Sequence, residues 1–168
     1  DVMMALHAFP ELKAGKVGFR SGPYMASGDE IDVHIKGPGG HAAMPHKTVD
    51  TVLTAGQVLV ALQQIQARFI PTEIPSVLTF GNICTESVMT IIPREVLLEG
   101  TFRTMSEEWR KKALKKIIQI VDNTSRAAGA TSETIIRPGY PAIKNDEAVT
   151  RKIQDNATNL LGARNIKQ

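Results

Sequence analysis

The stretch DEIDVHIKGPGGHAAMPHKTVD, residues 29–50, decides how the rest of the chain is read. Ile31, Val33 and Ile35 alternate with Asp32, His34 and Lys36. A period of two marks a half-buried strand, apolar on one face and wet on the other. A glycine-rich turn follows, with Gly37, Gly39 and Gly40 before His41, and Pro45 and His46 close behind. Asp50 then caps a predicted helix whose apolar positions are Val52, Leu53, Ala55, Leu59, Leu62 and Ile65.

Pro71 and Pro75 bracket the exit of that helix, and Val77, Thr79 and Ile83 mark a second strand. REVLLEGTFR, residues 94–103, is a third. Ser106 caps a second helix, with Glu107 and Glu108 in its first turn to suit the helix dipole. Its stripe is Trp109, Ala113, Ile117 and Val121, and Glu107–Lys111 and Glu108–Lys112 are expected ion pairs one turn apart. Gly129 ends it, and TSETIIRP, residues 131–138, gives a fourth strand. The order strand, helix, strand, strand, helix, strand is the split βαβ pattern. It predicts an α+β fold over residues 28–140: a ferredoxin-like two-layer sandwich, a four-stranded antiparallel sheet with two helices on one face.

The flanks, 1–27 and 141–168, stand outside that pattern. DVMMALHAF, residues 1–9, reads as a buried strand stopped by Pro10. A short strand through Val17 and Phe19 and a turn at Gly22–Pro23 follow. Asn145 opens a third helix with Val149, Ile153, Ala157, Leu160 and Leu161 on one face, and Gly162 stops it. The flanks read as two ends of another domain interrupted by the central one, an arrangement favoured when a domain's termini lie close together. The chain opens on Asp1 within an apolar run and reads as cut from something longer.

With 168 residues and 42% hydrophobic content, the chain can bury a real core. Aromatic content of 5% is thin for stacking nucleic-acid bases. Net charge is +3, and the basic run Arg110–Lys112 with Lys115 and Lys116 reads as a solvated helix face, so no nucleic-acid partner is expected. No apolar run is long enough to cross a bilayer, so no membrane partner is expected. Cys84 stands alone, which rules out an internal disulfide. A cytoplasmic, reducing setting and a buried structural thiol are expected.

His41 is the residue most suited to chemistry. Glycines before it let the backbone turn with φ > 0 and approach another surface, presenting the imidazole outward. An idle surface histidine fits the same pattern. His46 reads as a capping or packing residue, and His34 as plain surface. His7 ends an apolar run, where either a core histidine or a metal ligand fits. Arg103 ends the third strand, where a guanidinium can hold a carboxylate in a bidentate pair or bind Glu107. TESVMTIIP, residues 85–93, is too long for a tight hairpin and apolar enough to close over a ligand.

LHAFPELKAGKVGFRSGPYMASGDEIDVHIKGPGGHAAMPHKTVD (residues 6–50), IIPREVLLEGTFRTM (91–105) and GYPAIKND (139–146) together resemble the metal-dependent family of aminoacylase, hippurate hydrolase and succinyl-diaminopimelate desuccinylase. The resemblance is closest to the branch that cleaves N-acyl and N-aroyl amino acids. It implies a catalytic domain interrupted by a βαββαβ lid, or dimerisation domain. It implies that His7 binds a divalent metal, zinc in that family. It implies that His41 steadies the oxyanion, in dimeric members across to the neighbouring subunit. It implies that Arg103 holds the substrate carboxylate. Where the family usually has asparagine before IIP, this chain has Thr90 with Ile91 after it, which unsettles the substrate contact there. The implied partners are an N-acyl amino acid or small peptide and a second copy of the chain in a homodimer. The remaining metal ligands and catalytic glutamate would precede Asp1 and a last histidine would follow Gln168, so the isolated chain is expected to be inactive. A reading from another class is a free-standing βαββαβ dimerisation or amino-acid-binding regulatory module.

Overall fold

The computed structural model describes residues 2–167. In chain order the elements are β1 (Val17–Gly18), β2 (Gly22–Met25), β3 (Asp29–Lys36), β4 (Gly40–His41), α1 (Thr51–Leu62), β5 (Ser76–Cys84), β6 (Ile91–Ile92), β7 (Glu95–Thr104), α2 (Glu107–Ala127), β8 (Thr131–Pro138), β9 (Ile143–Asn145), α3 (Glu147–Leu161) and β10 (Ile166–Lys167). Two compact units divide them. One runs from Ala26 to Ala142; the other joins Asp1–Met25 to Ile143–Gln168.

In the central unit β5, β7, β3 and β8 lie side by side in that order, every neighbouring pair antiparallel. This is the ferredoxin-like order expected for a split βαβ unit. Alternation on β3 places Ile31, Val33 and Ile35 fully inside. They meet Val96, Leu98 and Phe102 of β7, Val58 and Leu62 of α1, and Ala113, Ile117 and Val121 of α2. Both helices begin where a cap is available. Asp50 Oδ1 accepts from Leu53 N–H at 2.9 Å, and Ser106 Oγ from Trp109 N–H at 3.4 Å. Each satisfies a backbone donor that the first helical turn leaves free.

Several expectations change. The buried face of α1 is Thr51, Thr54, Ala55, Val58 and Leu62, continued by Ile65. Val52 and Leu53 are exposed instead. The helix carries apolar residues on two faces, and the set spaced i, i+3, i+4, i+7 from Thr51 wins the core. A π turn, Ile65–Phe69, closes the helix, and its Gln66 side chain accepts from Leu78 N–H of the edge strand at 3.2 Å.

Arg110 does not join a solvated basic face. It is buried and grips buried Asp29 through Nε and Nη2 at 2.8 and 2.7 Å. Glu107 therefore pairs with Arg110 at 3.1 Å rather than with Lys111, while Glu108–Lys112 forms as expected at 2.6 Å. Cys84 is exposed, because it closes an edge strand where one flank lacks a neighbour.

In the other unit, β1 pairs in parallel with β10 and β2 antiparallel with β9. Residues 2–9 form no strand and are exposed. A strand needs a neighbour to share its hydrogen bonds, and no described segment lies beside this one. Gly22–Pro23 opens strand β2 instead of making a turn, and α3 starts after its cap Asp146, one residue later than expected. Among the described residues no helix is long and apolar enough to cross a membrane.

Candidate functional site

The turn after β3 is built by close approach, and the expectation of φ > 0 at its glycines is not met. Positive φ occurs at Gly15, Gly22, Gly129 and Gly162, and at none of Gly37, Gly39 or Gly40. A Cβ on Gly39 would lie 2.5 Å from Ile92 O, and one on Gly40 would lie 2.6 Å from Thr48 Cγ2. Bare backbone is needed at Gly40 because the Thr48 side chain packs directly against it, and at Gly39 because the 85–93 segment does.

That packing is a short antiparallel ladder. Gly40 pairs with Ile92 and His41 with Ile91. Ala42 N–H donates to Thr90 O at 2.9 Å, and Gly37 N–H to Arg94 O at 2.9 Å. Thr51 Oγ1 donates to Pro93 O at 2.8 Å, tying the start of α1 to the same segment. The structure thus brings His41 and Thr90 together. The Thr90 contact is made by its carbonyl, which any residue there would supply.

His41 is exposed, and Ala43 N–H donates to its Nδ1 at 3.1 Å. An acceptor Nδ1 fixes the neutral ring as the Nε2–H tautomer. The outward nitrogen is therefore a hydrogen-bond donor. His46 lies exposed in the 3₁₀ turn Pro45–Lys47 and neither caps α1, whose cap is Asp50, nor packs. His34 is half-buried and bonds Glu95 at 2.6 Å, so it belongs to the charge lattice of the open sheet face.

Arg103 stands at the other end of β7. From Glu95 to Arg103 the strand advances about 27 Å, so His41 and Arg103 mark opposite ends of the sheet. Arg103 does not bind Glu107. Its Nη1 donates to Tyr140 Oη at 2.9 Å, a partner that sequence reasoning missed although GYP was in view. Between these ends the open face carries Glu30, Asp32, Glu95, Glu99 and Glu133 against Lys36 and Arg137. Arg137 grips Asp32 at 2.7 and 2.9 Å and Glu30 at 3.0 Å. These bonds hold its guanidinium above the usual arginine value, Asp32 first and Glu30 second. Lys36 bonds Glu133 at 2.9 Å, which raises the lysine and lowers the carboxyl. A face with this many carboxylates repels phosphate.

His7 is exposed, and its Nδ1 lies 2.6 Å from Ala8 O. That contact suits a Nδ1–H tautomer with a free lone pair on Nε2, the form in which histidine binds metals. One imidazole does not make a metal site. Among the described residues no cluster of three or more His, Cys, Asp or Glu side chains is placed to hold an ion.

Fold and site define a βαββαβ module that presents a histidine on a clamped turn at one end and an arginine braced by a phenol at the other. Residues 28–129 match the peptidase dimerisation domain of the M20 family, and the chain belongs to that family. It is 36% identical over 157 residues to N-acetyl-L-cysteine deacetylase of Bacillus subtilis, covering 94% of this chain and 38% of that protein. It is also 36% identical over 152 residues to N-acyl-L-amino acid amidohydrolase of Geobacillus stearothermophilus, covering 90% and 41%. A dinuclear metal-binding peptidase of the M20 family from Bacillus subtilis superposes with a TM-score of 0.68 at 25% identity, over 92% of this chain and 37% of that one. The chain spans about two fifths of the length of the curated relatives it matches.

Proposed function

We propose that this chain is the lid-bearing part of a metal-dependent hydrolase that cleaves the amide bond of N-acyl amino acids, and that the enzyme works as a homodimer. The relatives' names supply the reaction class. The observation that carries the reading is the placement of an outward Nε2–H on His41 at one end of the sheet and, at the other, an Arg103 bonded to a phenol and to no carboxylate among the described residues. A fixed donor can stabilise charge developing on a carbonyl oxygen where water is excluded. A guanidinium can hold the substrate's carboxylate. Two groups at opposite ends of a strand about 27 Å long do not reach one small substrate, so in this reading Arg103 serves its own subunit and His41 its neighbour's.

In the same reading His7 is one ligand of a divalent metal, zinc, whose Lewis acidity activates water and the amide. The other ligands belong to the rest of the enzyme. The dimer is proposed to form through the exposed apolar side of α1, Val52, Leu53 and Val60, and the edge strand β5 with Val77 and Ile83.

The test is a pair of single variants in the full-length enzyme. His41→Ala should lower kcat about 100- to 1000-fold with little change in KM. Arg103→Ala should raise KM for the free acid. Mixing the two weak enzymes should then restore activity, to about a quarter of wild type for random dimers, because half the dimers hold one intact site. No recovery on mixing would mean that both residues serve the same subunit, and an unchanged kcat in His41→Ala would remove the catalytic role.

A further inference from the structure

Resting on the reading of Arg103 as carboxylate anchor, we propose that Tyr140 is the second half of that anchor, so that Arg103 and Tyr140 together bind the α-carboxylate of the substrate. The bond between them runs from Arg103 Nη1 to Tyr140 Oη at 2.9 Å, with the hydroxyl accepting. A phenol that accepts still has its own O–H to give, and among the described residues Tyr140 Oη has no other partner. A guanidinium carries five N–H donors, and this bond uses one. The pair therefore offers several donors from neighbouring atoms, which is what a carboxylate with two oxygens takes.

The brace is uncharged. Arg110, Arg137 and Arg151 each lie against a carboxylate. Arg103, like Arg20, Arg68, Arg94, Arg126 and Arg164, enters no ion pair among the described residues, and its charge is open to a ligand.

The seat of Tyr140 is built for the ring. A Cβ on Gly28 would come within 3.1 Å of Tyr140 Cζ, and one on Gly139 would collide with Gly28 O. Gly28 N–H donates to Tyr140 O at 3.1 Å. Two bare backbones thus let the ring lie against the chain at the start of β3, with its hydroxyl at the end of β7. Nothing in the packing of the core calls for that hydroxyl, since Tyr140 is half exposed.

The experiment compares an N-acyl amino acid with its methyl ester in the full-length enzyme, for wild type, Tyr140→Phe and Arg103→Ala. Tyr140→Phe keeps the ring and removes the hydroxyl. It should lower the ratio of kcat/KM for acid over ester about three- to tenfold, with the loss lying in KM. A merely structural tyrosine would lower both substrates together and leave the ratio intact, which overturns the proposal. If Arg103→Ala collapses the ratio while Tyr140→Phe leaves it alone, Arg103 is the anchor and Tyr140 has no part in it. If Arg103→Ala also leaves the ratio alone, the reading of Arg103 fails first and the proposal with it.

Discussion

Asp29→Asn is the sharpest test of how the central unit is held together. Asp29 has no exposed side-chain surface, and Arg110 has a tenth of its own. The two share hydrogen bonds of 2.7 and 2.8 Å, and Arg110 also reaches Gly139 O at 3.2 Å and Glu107 at 3.1 Å. The Asp29 bond is the largest cause of the raised affinity of Arg110 for its proton. Glu107 in turn accepts from Ala142 N–H at 2.8 Å, so the network binds the first and last strands of the unit to the start of α2. Removing one charge of a buried pair costs about 3–5 kcal/mol. Here Glu107 still faces Arg110, and asparagine keeps one acceptor, so the expected loss falls at or just below the bottom of that range, about 2–3 kcal/mol. With a urea slope of about 1.5 kcal/mol/M, the midpoint should fall by about 1.3–2 M. Trp109 is the sole tryptophan and packs edge-on to Phe69 at 5.7 Å, so its fluorescence reports this unit alone. Asp29→Asn with Arg110→Met should lose less than the sum of the single changes, because the double variant buries no orphan charge. A midpoint shift under about 0.3 M, or strict additivity, would refute the argument.

Further outcomes are expected. Gly39→Ala forces a Cβ against Ile92 O, which is backbone and cannot swing aside, so it should cost about 1–3 kcal/mol in a melt and lower kcat through the displaced His41 turn. Glu133→Gln should matter only above the carboxylate range. The folded carboxyl titrates below its ordinary value because of Lys36, so its contribution is present above that value and is lost as pH falls through the lower one. Wild-type and variant stabilities should converge in acid; a gap that persists at pH 2–3 would contradict the assignment. Val60→Glu places a charge on the most exposed apolar residue of α1, and sedimentation of the full-length enzyme should show monomers.

The sheet and its two helices were legible because β3 alternates cleanly and each helix has a cap. Alternation on β3 and Asp50 and Ser106 as caps carry that information within a few residues. What was lost is non-local. Arg110 looks like its lysine neighbours until Asp29, far away in sequence, is placed opposite it. Of the two roles expected for Gly39 and Gly40, close approach holds and positive φ does not, and the sequence does not say that Ile92 and Thr48 are what press on them. The two faces of α1 were confused because the helix is apolar on both, and a periodicity cannot say which face meets the core and which a partner. His41 was found by its turn, but not its tautomer, which depends on a single backbone N–H two residues on. Tyr140 was missed because its meaning lies in a bond to Arg103 that only the fold creates.

The two arginines that brace this unit, Arg110 and Arg137, are held by carboxylates, and the two side chains assigned to chemistry are held by neutral groups. Asp29–Arg110 and Asp32–Arg137 are ion pairs, whereas His41 is fixed by a backbone N–H and Arg103 by a phenol. A charge that is already neutralised has little left for a substrate, and the charge of Arg103 is not neutralised by any carboxylate among the described residues. Tyr140→Glu tests this directly. A carboxylate there would give Arg103 a partner of the structural kind and add little stability, since an exposed pair contributes little. It should also repel the substrate's carboxylate and lower the acid-over-ester preference further than Tyr140→Phe does. A Tyr140→Glu enzyme that kept its preference for the free acid would show that the arginine's charge was never reserved for the substrate.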